Sequence, residues 1–242
     1  MSKTTTIGVV LGVVGAAAAT AAPINSQAYP RAADIGAGPG FAAAVDRDGP
    51  IVYSAPPITA DGFFSDGAAG QFYGQMIADN FTLTNNTTVS GVNWWGSSEN
   101  YFLSDYTNFD AFSVMVLDGN FDVVYTENFS TVETNPVATG QLNSSGGIQF
   151  FQSVKFSQTF DLLGGTEYWL AIGSINGAAD GDAWIWSTAA GDGLIASDQF
   201  DGSGFVVFPD ESDTAFEIQG VPTPGAASLF AVAGLVMARR RR

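Results

Sequence analysis

The sequence predicts an all-β protein, an antiparallel β-sandwich of jelly-roll-like character, and three observations carry that expectation. Short apolar runs with two-residue alternation recur from Phe41 onward, set apart by Gly, Asp and Asn. Turn signals fall between them at Asp118-Gly119-Asn120, Leu163-Gly164-Gly165 and Asn176-Gly177. No stretch of the middle keeps a helical period over about twelve residues. The sandwich is expected over residues 41–220, a length at which all-β chains commonly fold as one domain.

Ten candidate strands follow in order. They are Ala42–Tyr53, Ile77–Leu83, Val89–Trp95, Ala111–Leu117, Asp122–Phe129, Ile148–Phe160, Glu167–Ile172, Ala183–Ser187, Phe205–Phe208 and Ala215–Gln219. Because strand side chains alternate between faces, Phe112, Val114 and Val116 share one face, and Ser113 and Met115 the other. Tyr168, Leu170 and Ile172 likewise alternate with Trp169 and Ala171. By the same rule the adjacent Trp94 and Trp95 point to opposite faces, while Trp184 and Trp186 share one.

Composition narrows the chemistry. All 24 acidic residues lie between Asp34 and Glu217, where only Arg31, Arg47 and Lys155 are basic neighbours, leaving the middle at −21. Such a field repels phosphate backbones, so nucleic acid is not an expected partner. The chain has no Cys and no His. That removes disulfides, thiolate sites, Ser-His-Asp catalysis and imidazole-ligated zinc.

The two ends read as targeting segments. Met1-Ser2-Lys3 opens with a positive charge, Ile7–Ala19 is apolar, and Ala19-Thr20-Ala21 offers small residues for cleavage before Ala22. Residues 1–21 are therefore an expected signal peptide, and the Ala-, Pro- and Gly-rich 22–40 an expected linker. At the other end Val221-Pro222-Thr223-Pro224 precedes Gly225–Ala238, where Ser228 is the lone polar side chain, and then Arg239, Arg240, Arg241 and Arg242. The prolines keep the entry extended, the apolar run is suited to transient membrane insertion as a short hydrophobic helix, and the arginines stay on the cytoplasmic side.

Residues 221–242 resemble the PEP-CTERM sorting signal, with Thr223 where that signal usually carries Glu. The resemblance implies export, retention through the tail, processing by an exosortase as partner, and a place at the cell surface or in an extracellular matrix beside exopolysaccharide. A second resemblance lies in the middle. Asp79-Asn80-Phe81-Thr82-Leu83, Val89 to Gly96, Phe160-Asp161-Leu162 to Glu167-Tyr168-Trp169-Leu170-Ala171, and Trp184-Ile185-Trp186 are similar to a β-sandwich domain found ahead of such tails. It implies fold and context, and no activity.

Three constellations bear on function. Trp94, Trp95, Trp184 and Trp186 are candidates for stacking on glycan rings, with Trp94 or Trp95 as the exposed platform; the other reading makes them core filler. Acidic loops crowd the last third, at Asp180-Gly181-Asp182, Asp192-Gly193, Asp198, Asp201-Gly202 and Asp210-Glu211. They read either as solvated turns or, at Asp180 and Asp182, as a structural calcium site, and no other cofactor is expected. A carboxylate pair for glycoside hydrolysis is the third, but no pair is singled out by its neighbours, so no catalytic residue is assigned. The expected function is a non-catalytic surface or matrix protein; the alternatives are a carbohydrate-binding module for extracellular polysaccharide, then a carboxylate-dependent glycosidase or lyase.

Overall fold

In the computed structural model the described residues are 49–67, 74–98, 109–176, 183–209 and 212–221. The expected signal peptide, the linker, residues 222–242 of the tail, and Asp180 and Asp182 lie outside them, as does most of the first candidate strand. The described residues form fourteen strands and no helix: β1 (Ile51–Ala55), β2 (Pro57–Phe64), β3 (Met76–Thr82), β4 (Thr87–Ser98), β5 (Phe109–Asp118), β6 (Val123–Ser130), β7 (Val137–Leu142), β8 (Ile148–Leu162), β9 (Glu167–Asn176), β10 (Trp184–Ala189), β11 (Leu194–Asp198), β12 (Phe205–Pro209), β13 (Asp213–Thr214) and β14 (Phe216–Gly220).

They make an antiparallel β-sandwich. The smaller sheet runs β12-β11-β3-β9-β5-β6. The larger holds the other eight strands, centred on β4. One edge of β4 is covered along its length by β8, from Thr87↔Leu162 to Ser97↔Gln149. Its other edge is shared: β14 pairs with the first half, up to Trp94↔Phe216, and β10 takes over at Gly96↔Trp186. The chain crosses repeatedly between the sheets, so consecutive strands close the core from both sides.

Alternation fills the space between the sheets. Phe112, Val114, Val116, Tyr168, Leu170 and Ile172 of the smaller sheet meet Val92, Trp94, Trp184, Trp186, Phe216 and Ile218 of the larger. Removing a Phe or Ile of this size from water contributes about 2 kcal/mol each. Aromatic rings form a continuous seam: Trp94 lies 5.7 Å from Phe112, Phe112 5.2 Å from Trp184, Trp184 6.0 Å from Trp186, and Trp186 6.1 Å from Phe216. Gly96 makes room for this seam, because a Cβ there would fall 2.3 Å from Nε1 of Trp184.

Four strands are absent from the sequence expectation. β2 begins at a proline and contains Asp61-Gly62, which locally reads as a turn. β7 is mostly exposed and carries Gly140 at φ +83°. β11 and β13 are too short to show a period. All four are held by neighbours, which local pattern does not reveal.

Candidate functional site

The four tryptophans expected as stacking candidates are buried. Trp94, Trp184 and Trp186 are 0% exposed and Trp95 is 6% exposed. Trp94, Trp184 and Trp186 lie between the sheets, and the Trp186 indole N–H donates to the Ala215 carbonyl at 3.0 Å. Trp95 does face away from Trp94, as alternation requires, but it packs with Phe151 (5.0 Å), Ala55, Ala189 and Ala215 in a separate apolar cluster. None presents an indole face to solvent, so the glycan-stacking assignment at these positions is corrected: core packing outcompetes exposure for such large apolar rings.

The acidic turns act largely as acceptors for their own backbones. Asp118 Oδ1 accepts the N–H groups of Asn120 and Asp122, Asp198 Oδ1 that of Phe200, and Asp201 Oδ1 that of Ser203. These are local side-chain-to-backbone bonds that fix turns. Among the described residues no group of three or more acidic side chains is placed to hold a metal ion.

One carboxylate is unlike the rest. Asp79 on β3 is 1% exposed, and its Oδ2 accepts both the backbone N–H and the hydroxyl of Thr214 on β13, tying the smaller sheet to the larger. Its Oδ1 has no hydrogen-bond partner. Asp213 beside it accepts the N–H groups of Asp192 and Gly193 at 2.9 and 2.7 Å. Gly191 is required there, since a Cβ would collide with Oδ2 of Asp213. Burial, then the charges of Asp213 and Asp192, push the Asp79 carboxyl up to about 8 against the opposing pull of Thr214. Burial also raises Asp213, and burial with the same three carboxylates raises the Tyr53 phenol to about 12. A carboxylic acid held protonated is a familiar catalytic device. Here it is 1% exposed, on the face of β3 that packs between the sheets.

A second polar group is equally enclosed. Asn93 donates to Glu217 at 2.9 Å, Ser54 donates to Glu217 at 3.1 Å, and Gln219 donates to Asn93 and to Ser153, the latter at 3.2 Å. Asn93, Glu217 and Gln219 are 0%, 4% and 1% exposed. Buried polar groups need such partners, and this network is cross-strand mortar across β1, β14, β4 and β8.

Among the described residues an open concavity lies on the outer face of the smaller sheet. Met76, Ala78, Leu117, Trp169, Ala171 and Ala196 form an apolar layer there, where a sandwich ordinarily presents polar side chains. Phe121 from the β5–β6 turn and Phe200 and Phe205 from the β11–β12 hairpin pack over it. Phe121 lies 5.0 Å from Trp169 and stacks on Phe205 at 5.5 Å, with planes 20° apart. Between the turn and the hairpin runs a groove of about 410 Å³, floored by Met115, Leu117, Phe121 and Phe205 and edged by Asn120, Asp198 and Ser203. That volume falls in the range of small-molecule and glycan-sized sites, roughly 300–1,000 Å³. The turn and the hairpin beside it are strained: Phe121 and Phe200 hold φ of 64° and 54°. Left-handed backbone at a bulky residue costs about 1 kcal/mol or more and clusters at functional positions.

Sequence reasoning placed Asp198 among the acidic loops but missed Phe121, Phe200 and Phe205 as a set. Their signal was large aromatics set inside Asp-, Gly- and Ser-rich turns, at Asn120-Phe121-Asp122 and Phe200-Asp201-Gly202-Ser203-Gly204-Phe205. Rings in such polar segments need a surface to cover, and Trp169 and Ala171 on the outward parity of β9 supply it. The chain matches no protein-family model, and no curated protein is similar enough to count as a relative.

Proposed function

We propose that this chain is an exported, exosortase-processed surface or matrix protein whose sandwich is a non-catalytic interaction module. One observation supports the module reading above the others: the groove on the smaller sheet is apolar and aromatic, while Asp79, the carboxylate pushed furthest from its ordinary value among the described residues, is 1% exposed. A glycosidase needs two carboxyl groups facing across an accessible cleft. Asp198 is the sole acidic side chain lining the groove. The sorting reading rests on the sequence, on Val221-Pro222-Thr223-Pro224 and Arg239–Arg242 beside an N-terminal leader.

The same groove favours a carbohydrate-binding role over a purely structural one, with the phenylalanine pair taking the part first assigned to tryptophans. Two measurements test the proposal. Deleting residues 222–242 should shift the protein from the cell surface to the medium or trap it unprocessed; unchanged fractionation together with an intact tail in wild type contradicts the sorting half. Incubation with extracellular polysaccharide should leave its chain length unchanged; depolymerisation contradicts the non-catalytic half.

A further inference from the structure

We propose that the groove between the β5–β6 turn and the β11–β12 hairpin is a binding site for an amine-bearing glycan, a chain of hexosamine units whose nitrogens are not acetylated. This rests on the carbohydrate-binding reading of the same groove and names the chemistry of its ligand.

Three features converge. The groove is lined by the half-buried Phe121 and Phe205, stacked on each other, beside Met115 and Leu117, an apolar surface able to pack against the C–H face of a pyranose. Asn120 and Ser203 stand exposed on the two walls, an amide and a hydroxyl suited to ring hydroxyls. The charge is one-sided. Asp118 and Asp122 flank the turn, Asp198 and Asp201 flank the hairpin tip, and no basic residue lies on either segment.

Position strengthens the case at Asp198. It is the cross-strand partner of Phe205, so carboxylate and ring share a face. Oδ1 is engaged by the Phe200 N–H at 2.8 Å, which fixes the carboxylate while leaving its charge in place. Hydrogen bonds from Ser203 hold the Asp201 carboxyl below its ordinary value, so Asp201 stays ionised in mild acid. A neutral glycan can donate hydroxyls to such a rim but gains no ion-pair attraction from it, and an anionic one is repelled. An ammonium on the sugar is attracted to the carboxylates and to the faces of the Phe rings. A lysine-rich peptide shares that charge, but it loses the rotamer entropy of a long flexible side chain, about 1.5–2 kcal/mol each, where a rigid ring loses none.

The test is calorimetric titration of the full processed protein at about pH 6, where such amines are protonated. The probes are a glucosamine hexamer, its fully N-acetylated counterpart and hexalysine. The glucosamine hexamer should bind at least about fivefold more tightly than the acetylated one at low salt, a margin that falls toward unity at about 0.5 M salt. Asp198→Asn keeps the acceptor for the Phe200 N–H and should erase most of that margin. Phe205→Ala should weaken both hexamers about tenfold. Asp161→Asn on the larger sheet removes the same charge and should change nothing; loss equal to that of Asp198→Asn assigns the attraction to the overall field and overturns the site. Equal binding of both hexamers overturns the amine inference while leaving a glycan module standing. Hexalysine binding as tightly as the glucosamine hexamer overturns it in favour of a basic-peptide site. No binding by either hexamer, with melting temperature intact, overturns both this inference and the carbohydrate reading beneath it.

Discussion

At the residue scale the consequential side chain is Asp79. Its carboxyl titrates near 8 in the fold and near the ordinary carboxylate value of 3.8 when unfolded. The neutral form is favoured by folding, so its contribution is complete below about pH 4 and is lost progressively as pH rises to about 8. Acid-to-base melting curves should show this fall. Asp79→Asn keeps an oxygen for the Thr214 N–H and hydroxyl and removes the charge. It should flatten the curve between those limits and raise stability at pH 8 by a few kcal/mol. An unchanged pH slope in the variant would mean that Asp79 is not the titrating group. Gly96 supplies a second prediction. Gly96→Ala drives a methyl group into the Trp184 indole, and the core around it has no slack, so thermal unfolding should report a loss of about 2–3 kcal/mol.

At the element scale, strand legibility tracked the two-residue spacing of large apolar side chains, even where both faces of the strand are covered. β5 and β9 alternate through their cores, and their inner residues were readable one by one. β4 was equally clear, including the opposite directions of Trp94 and Trp95; what the pattern lacked was the cover over Trp95, since Phe151 reaches it from β8 by cross-strand pairing. β2 and β7 were hidden by turn-like residues inside strands. The site was hidden for a related reason. Phe121 and Phe205 are distant in sequence, and only the neighbouring order of β11, β3, β9 and β5 brings the turn and hairpin together. Replacement tests the turn itself. Phe121→Gly relieves the left-handed backbone but forfeits contacts with Trp169 and Phe205. Its net stability change should therefore be small, within about 1–2 kcal/mol, while groove binding is lost. A large destabilisation, measured by urea titration, would make Phe121 a structural keystone in place of a site residue.

At the scale of the whole molecule, charge dominates. Among the described residues Lys155 is the single basic side chain against fifteen carboxylates. Mutual repulsion keeps such a body soluble and resists compaction, and salt screens it. Raising sodium chloride from about 20 mM to 0.5 M should lift the melting temperature by several degrees. Indifference to salt would mean that the acids are locally compensated. The same field gives a cationic polymer a long-range attraction that the groove then makes specific. The described part of the molecule thus combines a buried aromatic seam that fixes the sandwich with a strained aromatic face left open to ligand.

Heteronuclear NMR of the protein titrated with the glucosamine hexamer tests that division of labour most directly. Shifts are expected to concentrate in Met115–Val123 and Asp198–Phe205, with the indole N–H signals of Trp94, Trp95, Trp184 and Trp186 unmoved. Movement of those indole signals, with the groove residues silent, would contradict the account.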